Sequence, residues 1–251
     1  MNTLIFKAPR AMSAPLPGTP VLPVFGEDYD LALFASDFVT THANGAPVVS
    51  ALARGRIGTE QERSFVKWSG WNAPVLHHEA APGGKPALVF DGNSAMRAPL
   101  YLQSQPMTTV IMVRIDSYTN AGNTTRIFGG FEGNLHNLDV RPAGKIRMRA
   151  AGTYEGGIAT DGPAAGEWAP IVAVFDGVRS KIKVGLNAIQ AVEDVGAESA
   201  LPIYLGVSGG FPNANGFGLK GAIAELRRFN RAFSNEEIDA LAANMYQKYA
   251  A

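Results

Sequence analysis

The sequence predicts an all-β protein: an antiparallel two-sheet jelly-roll sandwich with a short C-terminal α-helix and an extended, proline-rich N-terminal arm. Three observations carry this. Apolar, β-branched runs recur at roughly 8–12-residue spacing with turn residues between them. The 28 glycines and 16 prolines are scattered along the chain, which fits many short strands better than long helices. One stretch alone, near the end, combines a helical period with a start signal. The 251 residues, 46% of them hydrophobic, suit one large β domain with a sizeable core. No internal repeat or second domain stands out.

The elements follow in order. Residues 1–28 hold Pro9, Pro15, Pro17, Pro20 and Pro23. Such a segment cannot be helical and can hardly donate to a ladder, so it is expected to be an extended arm. Its Leu4, Ile5, Phe6, Val21, Leu22, Val24 and Phe25 need a surface to cover, either the parent domain or a neighbouring subunit. The sandwich is expected over 29–251. YDLALFASDF (29–38) and APVVSALA (46–53) read as strands, whereas RGRIGTEQERSFVKWSGWN (54–72) has no clean period and reads as a long surface excursion. PALVFDG (86–92) is a strand running into an Asp-Gly turn. MTTVIMVRIDS (107–117) is nearly continuously apolar, as expected of a strand covered on both faces.

RIFGGF (126–131), HNLDVRP (136–142) and KIRMRA (145–150) come next. Arg147 and Arg149 alternate with Ile146 and Met148, the mark of a half-exposed strand. EWAPIVAVFDGVRSKIKVGLNAIQA (167–191) contains two strands parted at Asp176-Gly177, with a second reversal expected at Asn187-Ala188. IYLGVSG (203–209) and GAIAELRRF (221–229) complete the series. Ser234 and Glu237 then form a capping box, and Phe233 and Ile238 a hydrophobic staple. Ile238, Leu241, Met245 and Tyr249 line one helical face. This helix, 234–249, is expected to lie against the sandwich and close one end of its core.

The C-terminal third carries a resemblance. The order W…IVAVFDG…KIKVGLNA, then IYLGVSG, then GLKGAIAELRRFNRAFSNEEIDAL…KY resembles the laminin-G-like, concanavalin A-like jelly-roll superfamily of the bacterial and phage type. DLALFASD, PVVSALA and PALVFDG are similar to its opening strands. Ala188 stands where such members usually carry glycine. The resemblance implies a fold and leaves function to the site.

Composition narrows the function. The 22 basic and 22 acidic residues balance, so no global field steers the chain toward nucleic acid or an anionic membrane. With no cysteine, disulfides and thiolate metal sites are excluded. The opening residues lack the apolar run of a secretory leader, and no stretch nears the ~18–20 apolar residues of a membrane span. Synthesis in a host cytoplasm is expected.

Catalytic and metal signals are weak. The resemblance implies that glycosidases of this fold carry a Glu-x-Asp-x-x-Glu strand, and none occurs here. Glu193 and Asp194 are adjacent and would face opposite ways, while Glu236, Glu237 and Asp239 belong to the helix start. Asp116-Ser117-Tyr118-Thr119-Asn120 is similar to the calcium turn of legume lectins. Its earlier acid, however, is Arg114 and its later one Thr125, so a polar turn is expected. His42, His77, His78 and His136 have no evident partners. The glycine-rich GNSAM and SGGFPNANGFG do not continue into helices as phosphate sites require. No catalytic residue, metal or cofactor is expected.

Binding surfaces remain. Trp68, Trp71 and Asn72, together with Phe211, Asn213, Asn215 and Phe217 in SGGFPNANGFG (208–218), offer aromatic faces and amides suited to a sugar or a protein partner; the alternative is that these rings cover their own loops. Trp168 opens a strand and is expected in the core. The expected role is that of a non-enzymatic structural or attachment protein on a virus particle, a bacteriophage capsid-decorating or tail-associated component at the virion surface. The fold commonly works outside cells, yet this chain shows neither export signal nor cysteine. Its partners would be other virion proteins or copies of itself, engaged through the arm, or surface glycans. The alternative is a stand-alone glycan-binding module, and a lesser one a glycoside hydrolase-type enzyme or its accessory domain.

Overall fold

A computed structural model describes residues 29–99, 105–118, 125–129, 137–150, 158–191, 194–196, 203–206 and 218–250. The expected arm, 1–28, lies outside the described residues. The strands are β1 (Leu31–Phe34), β2 (Ser50–Leu52), β3 (Arg54–Gly55), β4 (Ser64–Lys67), β5 (Val75–Ala81) and β6 (Lys85–Asp91). Next come β7 (Met96–Ala98), β8 (Met107–Ile115), β9 (Thr125–Gly129), β10 (Asn137–Arg141), β11 (Lys145–Arg149) and β12 (Ile158–Asp161). The series ends with β13 (Trp168–Phe175), β14 (Lys181–Val184), β15 (Gln190–Ala191), β16 (Ile203–Leu205) and β17 (Lys220–Phe229). Helix α1 (Glu60–Arg63) precedes β4, and α2 (Asn235–Ala250) follows β17.

Two sheets form from these strands. The first runs β15-β14-β13-β8-β17-β1-β3, with the β5–β6 hairpin joined to the start of β17. The second runs β12-β11-β10-β9-β16-β7-β4-β2. Every ladder between these strands is antiparallel. Between the sheets lies one apolar core, with Leu31, Phe65, Phe90, Ile111, Val113, Ile127, Leu138, Met148, Ile171 and Leu226 among its members. The two-sheet sandwich expected from the sequence is therefore present.

A third layer alters one expectation. Helix α2 lies across the outer face of the first sheet instead of sealing an end of the core. Ile238, Leu241, Ala242 and Met245 pack on Val110, Met112, Val172, Val174, Ala222 and Ala224. The reason is visible in β8: its near-continuous apolar run buries both faces, so the outward half needs a cover, and the helix supplies it. The start signal is formed as expected. Ser234 N donates to Glu237 Oε2 at 2.8 Å, and Glu237 N donates to Ser234 Oγ at 3.3 Å. Phe233 and Ile238 are both buried in the same cluster.

Other expectations are corrected. Stretch 54–72 is no simple excursion: a second capping box, in which Thr59 N donates to Glu62 Oε2 at 2.7 Å, starts α1, and buried Phe65 anchors β4 to the core. Arg147 and Arg149 do alternate with core residues, but both are buried, at 7% and 1% exposure. The reversal expected at Asn187-Ala188 lies in the 185–189 turn between β14 and β15, which opens at Gly185, whose φ of 60° suits glycine. Strand 29–38 ends at Phe34, and 35–38 turns into a 3₁₀ segment.

Candidate functional site: an aromatic corner on the second sheet

With α2 covering the first sheet, the outward face of the second sheet is built of different residues. Alternation sends Ile203 and Leu205, Met96 and Ala98, and Phe65 inward. It leaves Tyr204, Arg97 and Val66 to the other side. Register then places Tyr204 beside Arg97, Arg97 beside Val66, and Val66 beside Ser50. The Arg97 guanidinium lies 5.7 Å from the Tyr204 ring centroid, close enough for cation–π attraction.

Trp68 completes this corner. Its ring meets Tyr204 edge-on at 4.9 Å and stacks on Trp71 at 6.0 Å with an interplanar angle of 11°. The two tryptophans differ in role. Trp71 is buried at 2% exposure, whereas Trp68 is only half-buried. Trp71 therefore braces the corner and Trp68 presents a ring face. Beside them Val49, Leu52 and Val66 are 57%, 44% and 43% exposed.

Asn72 is exposed but engaged. Burial would raise the Asp91 pKa, but donors from Ser94 Oγ (2.7 Å), Asn93 N (2.8 Å) and the Asn72 amide hold this carboxyl below the usual carboxylate range. Asn72 N also donates to Asn93 O at 2.8 Å. It ties the Trp68–Trp71 turn to the Asp91-Gly92 turn and acts as a clasp.

Phe211, Asn213, Asn215 and Phe217 lie outside the described residues, but the base of their loop does not. Gly218 N donates to Gly92 O and Leu219 N to Gly206 O, each at 2.9 Å. A Cβ on Gly218 would come within 2.8 Å of Trp71 Cζ3, so only glycine lets the loop base close on that ring. Of the two segments singled out in the sequence, 68–72 and 208–218, the described end of the second, Gly218, thus meets Trp71.

Farther along the same face, sequence reading missed a charged cluster. Asp139, fully buried, accepts from Arg147 Nη2 at 2.7 Å and Nε at 3.2 Å. Arg126 and Arg149 hold their Nε atoms 3.8 Å and 3.7 Å from its oxygens. The signal was the alternation in HNLDVRP and KIRMR, which puts Asp139 and Arg147 directly opposite each other. On the other sheet the buried Glu225 is gripped by Arg227, Lys248 and the Tyr249 hydroxyl. Each of these buried carboxylates faces cations, not a second carboxylate.

The remaining sequence candidates are placed as follows. Asp116 is held by Arg114 in a two-pronged pair at 2.6 and 3.0 Å, and Asn120 lies outside the described residues. His78 Nε2 is 3.0 Å from His42 O; His136 also lies outside. Among the described residues no group of three or more His, Asp or Glu side chains could hold a metal ion. Trp168 is not core: it is half-buried on the outer face of the first sheet, beside the C-terminal end of α2.

Comparison with known proteins agrees with this architecture. Residues 90–239 match the laminin G-like profile of the concanavalin A-like lectin/glucanases superfamily, and the chain belongs to that superfamily. No curated protein sequence matches it. Among solved structures, the botulinum neurotoxin serotype D binding domain superposes with a TM-score of 0.57 at 12% identity, over 87% of this chain and 51% of that one. A Trypanosoma rangeli sialidase in complex with the inhibitor DANA gives 0.52 at 16%, over 84% and 32%. Domain 4 of AbnA, a GH43 extracellular arabinanase from Geobacillus stearothermophilus, in complex with arabinotriose, gives 0.50 at 18%, over 86% and 98%. The chain spans about half of the neurotoxin domain and a third of the sialidase. At these identities the likeness is one of fold.

Proposed function

We propose that this protein is a non-catalytic carbohydrate-contacting module whose site is the aromatic corner of the second sheet. The observation that carries the reading is Trp68: a partly exposed ring, stacked on Trp71 and in edge contact with Tyr204, with the Arg97 guanidinium next to Tyr204. Sugars stack their C–H faces on such rings and accept hydrogen bonds from nearby donors, which Arg97 supplies. Phe211, Asn213, Asn215 and Phe217 stand just before Gly218 in the sequence and are further candidates for the contact. The test is a glycan array followed by calorimetry. Trp68→Ala should weaken the best ligand at least about tenfold, the loss of roughly 1.4 kcal/mol, with folding unchanged. Unaltered affinity would remove Trp68 from the site, and turnover of a bound glycan would replace the module with an enzyme.

A second reading draws on exposed Val49, Leu52 and Val66 beside that corner. Such a strip suits protein docking, and with the proline-rich arm it fits attachment to a bacteriophage particle or to copies of the chain. Mass spectrometry of purified particles tests it: the protein should copurify at fixed stoichiometry.

A further inference from the structure

On the opposite side of the molecule, where the last turn of α2 meets the first sheet, lies a cleft of about 290 Å³ lined by Pro82, Met112, Glu167, Trp168, Tyr246 and Tyr249. Its size approaches the lower end of small-ligand sites. Three aromatic rings surround it, and Tyr246, 39% exposed, stands at the surface. The Glu167 carboxylate has neither a hydrogen-bond nor an ion-pair partner among the described residues. The Tyr249 hydroxyl donates its proton to Glu225 Oε2 at 3.1 Å, which leaves that oxygen only lone pairs to offer. The C-terminal end of a 16-residue helix adds its partial negative charge.

Apart from the Trp168 indole N–H, which can only donate, the polar groups of the lining are electron-rich or, in Tyr246, able to accept. The cations nearby have carboxylate partners: Arg114, whose guanidinium lies 5.7 Å from the Trp168 centroid, is paired with Asp116 at 2.6 Å, and Lys248, whose ammonium lies 5.4 Å from the Tyr249 centroid, shares Glu225 with Arg227. The complement of ring faces plus a carboxylate with no partner among the described residues is an organic cation, too greasy to be well hydrated and held by cation–π attraction.

We propose that this cleft binds a methylated ammonium head group, on the face opposite to the carbohydrate corner and independently of it. The head group could be free or joined through phosphate to a larger molecule, and the two sources share the chemistry read here. The test titrates the full chain with choline, with phosphocholine and with 3,3-dimethylbutan-1-ol, the uncharged isostere of choline, following the Trp168 indole signal by NMR. Choline or phosphocholine should saturate in the millimolar range, and whichever binds more tightly identifies the source. The isostere should bind at least about tenfold more weakly, since it lacks the charge that the rings attract. Glu167→Gln and Tyr246→Ala, both at exposed positions, should each weaken the ammonium ligand several-fold while leaving the melting temperature unchanged. No saturable shift with either cation, or equal binding of the isostere, would overturn the proposal.

Discussion

The outward faces of the two sheets solve opposite problems with the same alternation. On the first sheet the outward residues are Val110, Met112, Val172, Val174, Ala222 and Ala224, an apolar surface that demands a cover. On the second they are Arg126, Asp139, Arg147, Tyr204 and Arg97, which can face polar company. The helix follows from the first composition. The second leaves Trp68 and Arg97 on a face over which no helix lies among the described residues. The lesson is that a strand apolar on both sides announces a third layer, while alternation with arginine announces a face held together by charge.

The sharpest way to break this contrast is to remove its buried charge. Asp139→Ala should remove the carboxylate that three buried guanidinium groups approach and cost about 3–5 kcal/mol, read as a drop in the urea midpoint. Glu225→Ala should cost less, because Lys248, 40% exposed, can turn its ammonium to water. Equal losses from the two would show that the second sheet's cluster is no more enclosed than the first's. Next in size is the helix cover: Leu241→Ala, at 1% exposure, should cost about 2–5 kcal/mol. It should speed amide exchange in β8 and β13 before β10 and β11. Uniform acceleration would deny that the cover acts on one sheet.

A third prediction uses pH. Burial, and then the Glu225 charge, push the Tyr249 pKa well above its ordinary value. A group raised in the folded state lends stability that is fully present below its unfolded value of about 10 and is lost as pH rises beyond it. Stability should therefore fall from about pH 10 upward, and Tyr249→Phe should flatten that fall. Tyr118, pushed up to about 12 by burial, has the same sign, so some slope will remain. The smallest effect concerns the capping box: Ser234→Ala should cost about 1 kcal/mol by equilibrium unfolding.

Much of this was legible beforehand. The nearly unbroken MTTVIMVRI run foretold a strand covered twice, and the Ser234–Glu237 spacing foretold the helix start to the residue. What failed had physical causes. In 54–72 the strand Ser64–Lys67 shows one inward residue, Phe65, too few for a period to register. Arg147 and Arg149 were expected at water because arginine usually is. The hairpin register that sets Arg147 opposite Asp139 pairs them with a buried carboxylate, which alternation read one strand at a time does not show. A bulge between Ile223 and Glu225 sets β17 so that Arg228 faces inward, over the Phe128 ring at 5.4 Å. Nothing in GAIAELRRF marks that shift. Trp68 and Trp71 were visible as a pair. Tyr204 and Arg97, each a single letter between two core residues, became partners through pairing alone.

The chain has three tryptophans, and they divide between the two faces: Trp68 and Trp71 at the corner, Trp168 beside the helix. Recording their indole N–H signals by NMR while a binding oligosaccharide is added would test the account most directly. The expected result is that the Trp68 signal moves saturably, Trp71 follows through its stacked ring, and Trp168 stays still. A sugar that shifts Trp168 while leaving Trp68 in place would contradict it.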